Sequence, residues 1–144
     1  MNCLIGAKLS RMDLRQFNLN GAQMMGAELI DLDFSNVSFE SAKLQGAHLD
    51  DINLEGCDFS NATLCGANIN NINGHKCNFR GADLSGATLS NITFTNADFS
   101  GAVLVGTRFT NIDFENAIFD GADLSGAIFK KSNMNAAQRD SAKS

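Results

Sequence analysis

Acidic side chains crowd one window of this 144-residue chain, and they are its most evident candidates for chemistry. Between residues 21 and 61 the sequence has eight Asp or Glu residues and one base, Lys43, which gives a formal charge of −7 (1 minus 8). The whole chain carries only −5, so this window is far more acidic than the remainder. The candidate partner surface consists of five of these acids: Asp31, Asp33, Asp50, Asp51 and Glu55.

Three interpretations of this acidic window are open. A solvated acidic surface keeps a protein soluble, a negative patch attracts a basic partner, and converging carboxylates bind a metal ion. Neither His48 nor His75 lies near a set of other ligands in the sequence. We therefore expect no metal ion and no cofactor.

The cysteines and the absence of known motifs argue against enzymatic chemistry. No two of the four cysteines are spaced as Cys-x-x-Cys, and a reduced, cytoplasmic setting fits best. The sequence lacks a phosphate-binding loop, a dinucleotide fingerprint and a nucleophile elbow. We expect that the chain is not an enzyme.

The elements that carry these side chains follow a five-residue repeat, which is clearest from Cys77 to Phe129. Every fifth residue there, which we name the centre, is Leu or Phe, and the residue two places earlier is small or β-branched. A helix would scatter the centres, because five residues rotate it by roughly 500°. A short strand places both positions on one side. The Gly or Asn that usually follows two places later then turns the chain.

A second period, of four such units, predicts how many sides the coil has. The position two before the centre is bulky in every fourth unit: Met12, Leu32, Ile52, Ile72, Ile92 and Ile112. Four units therefore make one turn, and the fold class is all-β, a four-sided parallel β-helix of about seven coils. Residues 1–144 form one predicted domain, with repeats over about 2–134 and a tail, 135–144, that includes part of a short helix capped by Ser132 or Asn133.

Gly74 is the one centre without a sizeable apolar side chain. The five-residue spacing is intact on both sides, so nothing is inserted. We predict a small packing defect covered by Leu54 and Phe94 from the adjacent coils. The alternative is a local bulge that presents His75 and Lys76.

Two further expectations concern the interior and the ends. Cys57 and Cys77 fall one coil apart at inward positions, where we predict that they fill the core rather than form a disulfide. The ends of a coil expose strand edges and apolar residues, so monomer and end-to-end homodimer are both open. The C-terminal end, at Phe129 and Met134, is the predicted interface if a dimer forms.

Units such as Ala82-Asp83-Leu84-Ser85-Gly86 and Ala122-Asp123-Leu124-Ser125-Gly126 resemble the pentapeptide repeat family, and the resemblance extends from about Leu4 to Met134. It implies a right-handed four-sided parallel β-helix. It implies little about activity, because the family is functionally diverse. One branch resembles a DNA duplex in shape and charge and protects type II topoisomerases from quinolones.

The function that we expect is a non-catalytic scaffold that binds a protein partner through its outer faces. Lys76, Arg80 and Arg108 interrupt the later coils, so a DNA mimic that binds a type II topoisomerase is the second hypothesis. A secreted bacterial effector module is the third. We expect no direct nucleic acid binding. We also expect no membrane association, because no apolar run approaches the length of a membrane span and no signal peptide is visible.

Overall fold

The computed structural model describes residues 3–142 and confirms the predicted all-β parallel solenoid. Within these residues, seven strands form one sheet in chain order, with each neighbouring pair parallel, and a short helix follows. Six full turns separate the first strand from the last, close to the seven coils predicted. The elements are β1 (Lys8–Ser10), β2 (Glu28–Asp33), β3 (His48–Asn53), β4 (Asn68–Asn73), β5 (Thr88–Thr93), β6 (Arg108–Asp113), β7 (Ile128–Lys130) and α1 (Ala136–Ser141).

Each coil pairs with the next one at a constant offset of four units. Leu29 of β2 lies beside Leu49 of β3, and the other strand pairs keep the same step. Isolated bridges carry it around the other sides, as between Lys43 and Thr63. The four-unit period in the sequence is therefore one full turn of the solenoid.

The corners are backbone positions with positive φ, and they recur at every fifth position. From residue 6 to residue 131, twelve glycines and thirteen other residues have φ between 52° and 69°, and only position 16 interrupts the series. Asn is the commonest of the other residues, because its short polar side chain tolerates the left-handed region. The positive-φ residue of each unit thus fixes where one side ends and the next begins.

The core is one continuous column of centres and of the small residues two places before them. On one side, five phenylalanines stack with ring centroids 4.7–5.2 Å apart and interplanar angles of 5° or less. The rings of the adjacent column meet this stack edge-on, as Phe94 meets Phe99 at 5.1 Å and 84°. Both arrangements are favourable for aromatic rings. The stacked residues are Phe39, Phe59, Phe79, Phe99 and Phe119.

Gly74 is buried and occupies a regular position in its coil. β4 and β5 keep their register as far as Asn73 and Thr93, and Lys76 forms an ordinary corner with φ 59°. The bulge is therefore wrong. Phe94 covers Gly74 as predicted, but a Cβ there would lie 2.6 Å from Phe94 Cδ1 and 3.0 Å from the Thr93 carbonyl oxygen. The predicted packing defect is therefore wrong, because the Phe94 ring fills the space next to Gly74.

The tail is helical, as predicted, but it is capped by a different residue. Asn135 is the N-cap of α1, and its side chain and that of Gln138 form a reciprocal capping box with two 2.8 Å hydrogen bonds. Ser132 and Asn133 instead accept hydrogen bonds from the backbone of the last complete coil. The predicted caps are wrong, because both side chains bind backbone N–H groups of the last complete coil. Those N–H groups have no further coil among the described residues to which they could donate.

Truncation of a stacked core residue should cost far more stability than a surface change. Leu84 and Phe99 are fully buried, so Leu84→Ala and Phe99→Ala should each lower the free energy of unfolding by about 2–5 kcal/mol. Equilibrium unfolding in denaturant measures this loss. A loss below about 1 kcal/mol for both variants would contradict the packed column.

Gly74→Leu should lower stability by about 1–3 kcal/mol, because the new side chain meets an occupied space. The same substitution in a Phe94→Leu background should cost less, since the ring that blocks Gly74 is then absent. A double-mutant cycle in denaturant measures the coupling. Equal costs in the two backgrounds would show that Phe94 is not the obstacle.

Candidate partner surface

The fold brings three of the five selected acids into one shallow groove. Asp31 and Asp51 lie at corresponding corners of β2 and β3, with φ 55° and 58°, and Asp33 ends β2. The groove follows the corners within the six-residue strands, and the three acids lie along it. The lining residues are Asp31, Leu32, Asp33, Asp51, Ile52, Asn53, Asn71 and Asn73.

Asp50 and Glu55 lie outside this groove. Asp50 precedes the corner of β3, and Asn71 Nδ2 donates to its Oδ1 at 2.8 Å. Glu55 follows β3 and is exposed. The candidate surface is therefore a groove with two flanking acids rather than one compact cluster.

Arginines of the first coil neutralise part of the surface. Arg11 Nε lies 3.2 Å from Asp31 Oδ2, and Arg15 Nη1 lies 3.7 Å from Asp33 Oδ2. Both pairs are substantially exposed, so each contributes little to stability. The sequence analysis did not identify these ion pairs. The signal was present, since Arg11 precedes Asp31 by one full turn of the solenoid.

Asp33 also has a structural role that the sequence analysis missed. Its Oδ1 accepts the backbone N–H of Ser35 at 2.9 Å, which closes an Asx turn around the centre. This hydrogen bond is the main cause of the lowered pKa of the Asp33 carboxyl. The same turn recurs at Asp58 and at Asp98. Many outward Asp and Asn residues before a centre therefore serve the fold.

Of the five acids of the candidate partner surface, the three without a cationic partner lie on the third coil. Among residues 3–142, Asp50, Asp51 and Glu55 form no ion pair. Within the same residues, no group of three or more His, Cys, Asp or Glu side chains is arranged to hold a metal ion. Open carboxylates of this kind attract cations, but the groove does not enclose a substrate away from water.

The inward cysteines are free thiols bonded to the backbone. Cys57 Sγ donates to the Phe34 carbonyl and Cys77 Sγ to the Leu54 carbonyl, each at 2.8 Å. Burial raises the pKa of Cys57 to about 12 and that of Cys77 well above its ordinary value. Both residues are core filler, as predicted, and both lack the thiolate character that reactivity requires.

No helix in the described part of the chain is long and apolar enough to cross a membrane.

The exposed pair of Asp13 and Arg15 predicts a pH effect. Hydrogen bonds from the Arg15 side chain lower the pKa of Asp13 from 3.8 to about 2. Because the folded pKa is depressed, this pair stabilises the fold above about pH 4 and loses that contribution as the pH falls towards 2. NMR titration should give an Asp13 midpoint near 2 in the wild type and a higher one in Arg15→Gln. An identical midpoint in both proteins would contradict the ion pair.

The chain is similar to several proteins of known structure. The solved structure of trypsin-treated QnrB1, a plasmid-mediated fluoroquinolone resistance protein, is 22% identical with a TM-score of 0.52, over 95% of this chain and 82% of that chain. A pentapeptide repeat protein of the Arabidopsis thaliana thylakoid lumen is 36% identical with a TM-score of 0.38, over 66% of each chain. HetL, a pentapeptide repeat protein involved in heterocyst differentiation regulation in Nostoc sp. strain PCC 7120, is 27% identical with a TM-score of 0.29, over 91% and 82%.

The likeness to QnrB1 concerns the fold alone. No curated protein matches the chain. The family model for pentapeptide repeats matches in eight copies, over residues 3–40, 33–71, 77–116 and 108–138. These matches cover most of the sequence and follow the five-residue units that build the solenoid, so the chain belongs to the pentapeptide repeat family.

Proposed function

We propose that this chain is a non-catalytic scaffold that binds a basic protein partner through the candidate partner surface. The observation that carries the proposal is the set of acids without cationic partners on the third coil, Asp50, Asp51 and Glu55. Asp51 lines an open groove, and Asp50 and Glu55 flank it. The groove is lined mainly by Asp and Asn residues, because its apolar members Leu32 and Ile52 are buried in the core. A basic segment laid along the groove would pair with these acids.

The rigidity of the solenoid supports a scaffold role. Every coil is bonded to its neighbours through the backbone, and the core is filled by side chains. A surface held in this way loses little conformational entropy when it binds. Such charge raises the association rate with a basic partner and weakens binding as salt increases. The proposed setting is cytoplasmic, in agreement with the free thiols of Cys57 and Cys77.

The DNA-mimic hypothesis requires a negative face along the whole rod. The second half of the chain instead presents Arg108 and an exposed Arg80, which pairs with Asp98 at 3.0 Å. These cations interrupt the negative potential and favour the scaffold over the mimic. The mimic predicts inhibition of gyrase supercoiling at micromolar protein, which a standard supercoiling assay detects.

The test of the proposal is neutralisation of the acids without a change of shape. Asp31→Asn, Asp33→Asn, Asp50→Asn and Asp51→Asn should be combined in one variant, since an amide oxygen preserves the Asx turn at residue 33. Partners are first captured from native lysate with the wild-type chain and identified. The variant should then lose at least about tenfold in association rate with the purified partner, and the wild-type rate should fall as salt is raised.

The matched control changes the same amount of charge elsewhere. It combines Asp113→Asn, Glu115→Gln, Asp120→Asn and Asp140→Asn, all in the C-terminal part of the chain. Both variants should keep the wild-type circular dichroism and unfolding midpoint. If the first variant binds the partner as the wild type does, or if the control loses as much, the acidic window is only a solvated surface.

A further inference from the structure

The two ends of the solenoid differ in how their backbone is satisfied. At the C-terminal end, the tail bonds several backbone groups of the last complete coil. Within the coils, the Ala97 carbonyl accepts from the N–H of Ile118 in the next coil. The equivalent carbonyl of Ala117 accepts instead from Gln138 Nε2 at 3.0 Å. The N–H of Gly121 donates to the carbonyl of Ser141 at 2.9 Å.

The apolar residues of the C-terminal end are also covered. Met134 is only 8% exposed, and the Arg139 guanidinium lies 5.3 Å from the centre of the Phe129 ring. The helix α1 carries Gln138 and Arg139 onto this end. The tail thus covers part of the C-terminal end, and the dimer interface expected at Phe129 and Met134 stays a prediction.

The N-terminal end has no comparable cover among the described residues. Leu4, Leu9, Met12, Leu14 and Phe17 line an apolar depression of ≈ 330 Å³. Met12 is 46% exposed and Phe17 is 56% exposed, in contrast to the centres of the middle coils. Water therefore contacts an apolar surface that the fold elsewhere buries.

The backbone edge at this end is open as well. β1 pairs with β2 on one side only. In the second coil, the N–H of Glu28 donates back to the carbonyl of Ala7 at 2.8 Å. The matching N–H of Lys8 faces the open end, where no further coil lies among the described residues. An edge of this kind readily pairs with another strand.

Basic side chains of the first coil contact acids of the second coil, and Arg15 also pairs with Asp13 of its own coil at 3.0 Å. The ion pairs between the two coils are Lys8–Glu28, Arg11–Asp31 and Arg15–Asp33, at 3.7, 3.2 and 3.7 Å.

We propose that the N-terminal end binds a second copy of this chain, head to head about a two-fold axis. Two such ends match in outline and in apolar floor, and the two-fold axis sets their β1 edges antiparallel. Head-to-tail stacking would instead build a filament, and it would meet α1, which covers part of the opposite end. The end face presents one whole coil of four units, and a coil of this length is comparable to one side of a standard interface, which has roughly 20–30 residues.

The first test compares substitutions at the end and on the side of the rod. By analytical ultracentrifugation at about 100 µM, the wild type should be a dimer. Met12→Asp should weaken the dimer at least tenfold. Ile118→Asp is the matched control, because Ile118 is 44% exposed but lies far from the end, and it should leave the dimer intact. A monomeric wild type would overturn the proposal, and so would a dimer that is unaffected by Met12→Asp.

The second test modifies the protein after it has folded, so failure to fold cannot explain the result. Cys3 is exposed at the N-terminal end, and Cys65 is partly exposed on a side. A bulky maleimide on Cys3, in a Cys65→Ser chain, should convert the dimer to monomer. The same reagent on Cys65, in a Cys3→Ser chain, should not. A dimer that survives labelling of Cys3 would contradict the head-to-head contact.

Discussion

Each residue of this solenoid rests on the residue one full turn away, and this in-register stacking supports every other feature. It aligns the backbone ladder, as between Leu29 and Leu49, and it stacks the phenylalanine rings. It also arranges the surface, since it places Arg11 against Asp31. A parallel coil without this register would bury neither its centres nor its backbone polar groups, because both depend on the adjacent coil.

The fold could be predicted from the sequence because two periods in the sequence determine the stacking. The five-residue period locates the corners, and the bulky residues from Ile52 to Ile112 give the length of a turn. Gly74 shows where such reasoning ends. Its missing side chain suggested a defect, but the volume depends on the tilt of the Phe94 ring, which no period encodes. The cap at Asn135 was missed for a similar reason, since Ser132 and Asn133 were already bonded to the last complete coil.

The arrangement of the five acids of the candidate surface could be predicted only in part from the sequence. The five acids are evident from charge density, and the register alone would have paired Arg11 with Asp31. The contact from Asn71 to Asp50 is one position out of that register and depends on a side chain that reaches across a corner. The Asx turn at Asp33 shows that part of the acidity maintains the fold. Of the five acids, those on the third coil have no cationic partner, and they lie in or beside a groove lined mainly by Asp and Asn residues.

Hydrogen–deuterium exchange with the captured partner tests most directly whether this stacked rod binds through the candidate partner surface. The rod should protect the amides of the middle coils in the free chain, because each is bonded to two neighbours. Partner binding should add protection in β2 and β3 and in the residues that follow them, at 28–33 and 48–55. Added protection confined to residues 81–129, with none in β2 or β3, would contradict the proposed surface.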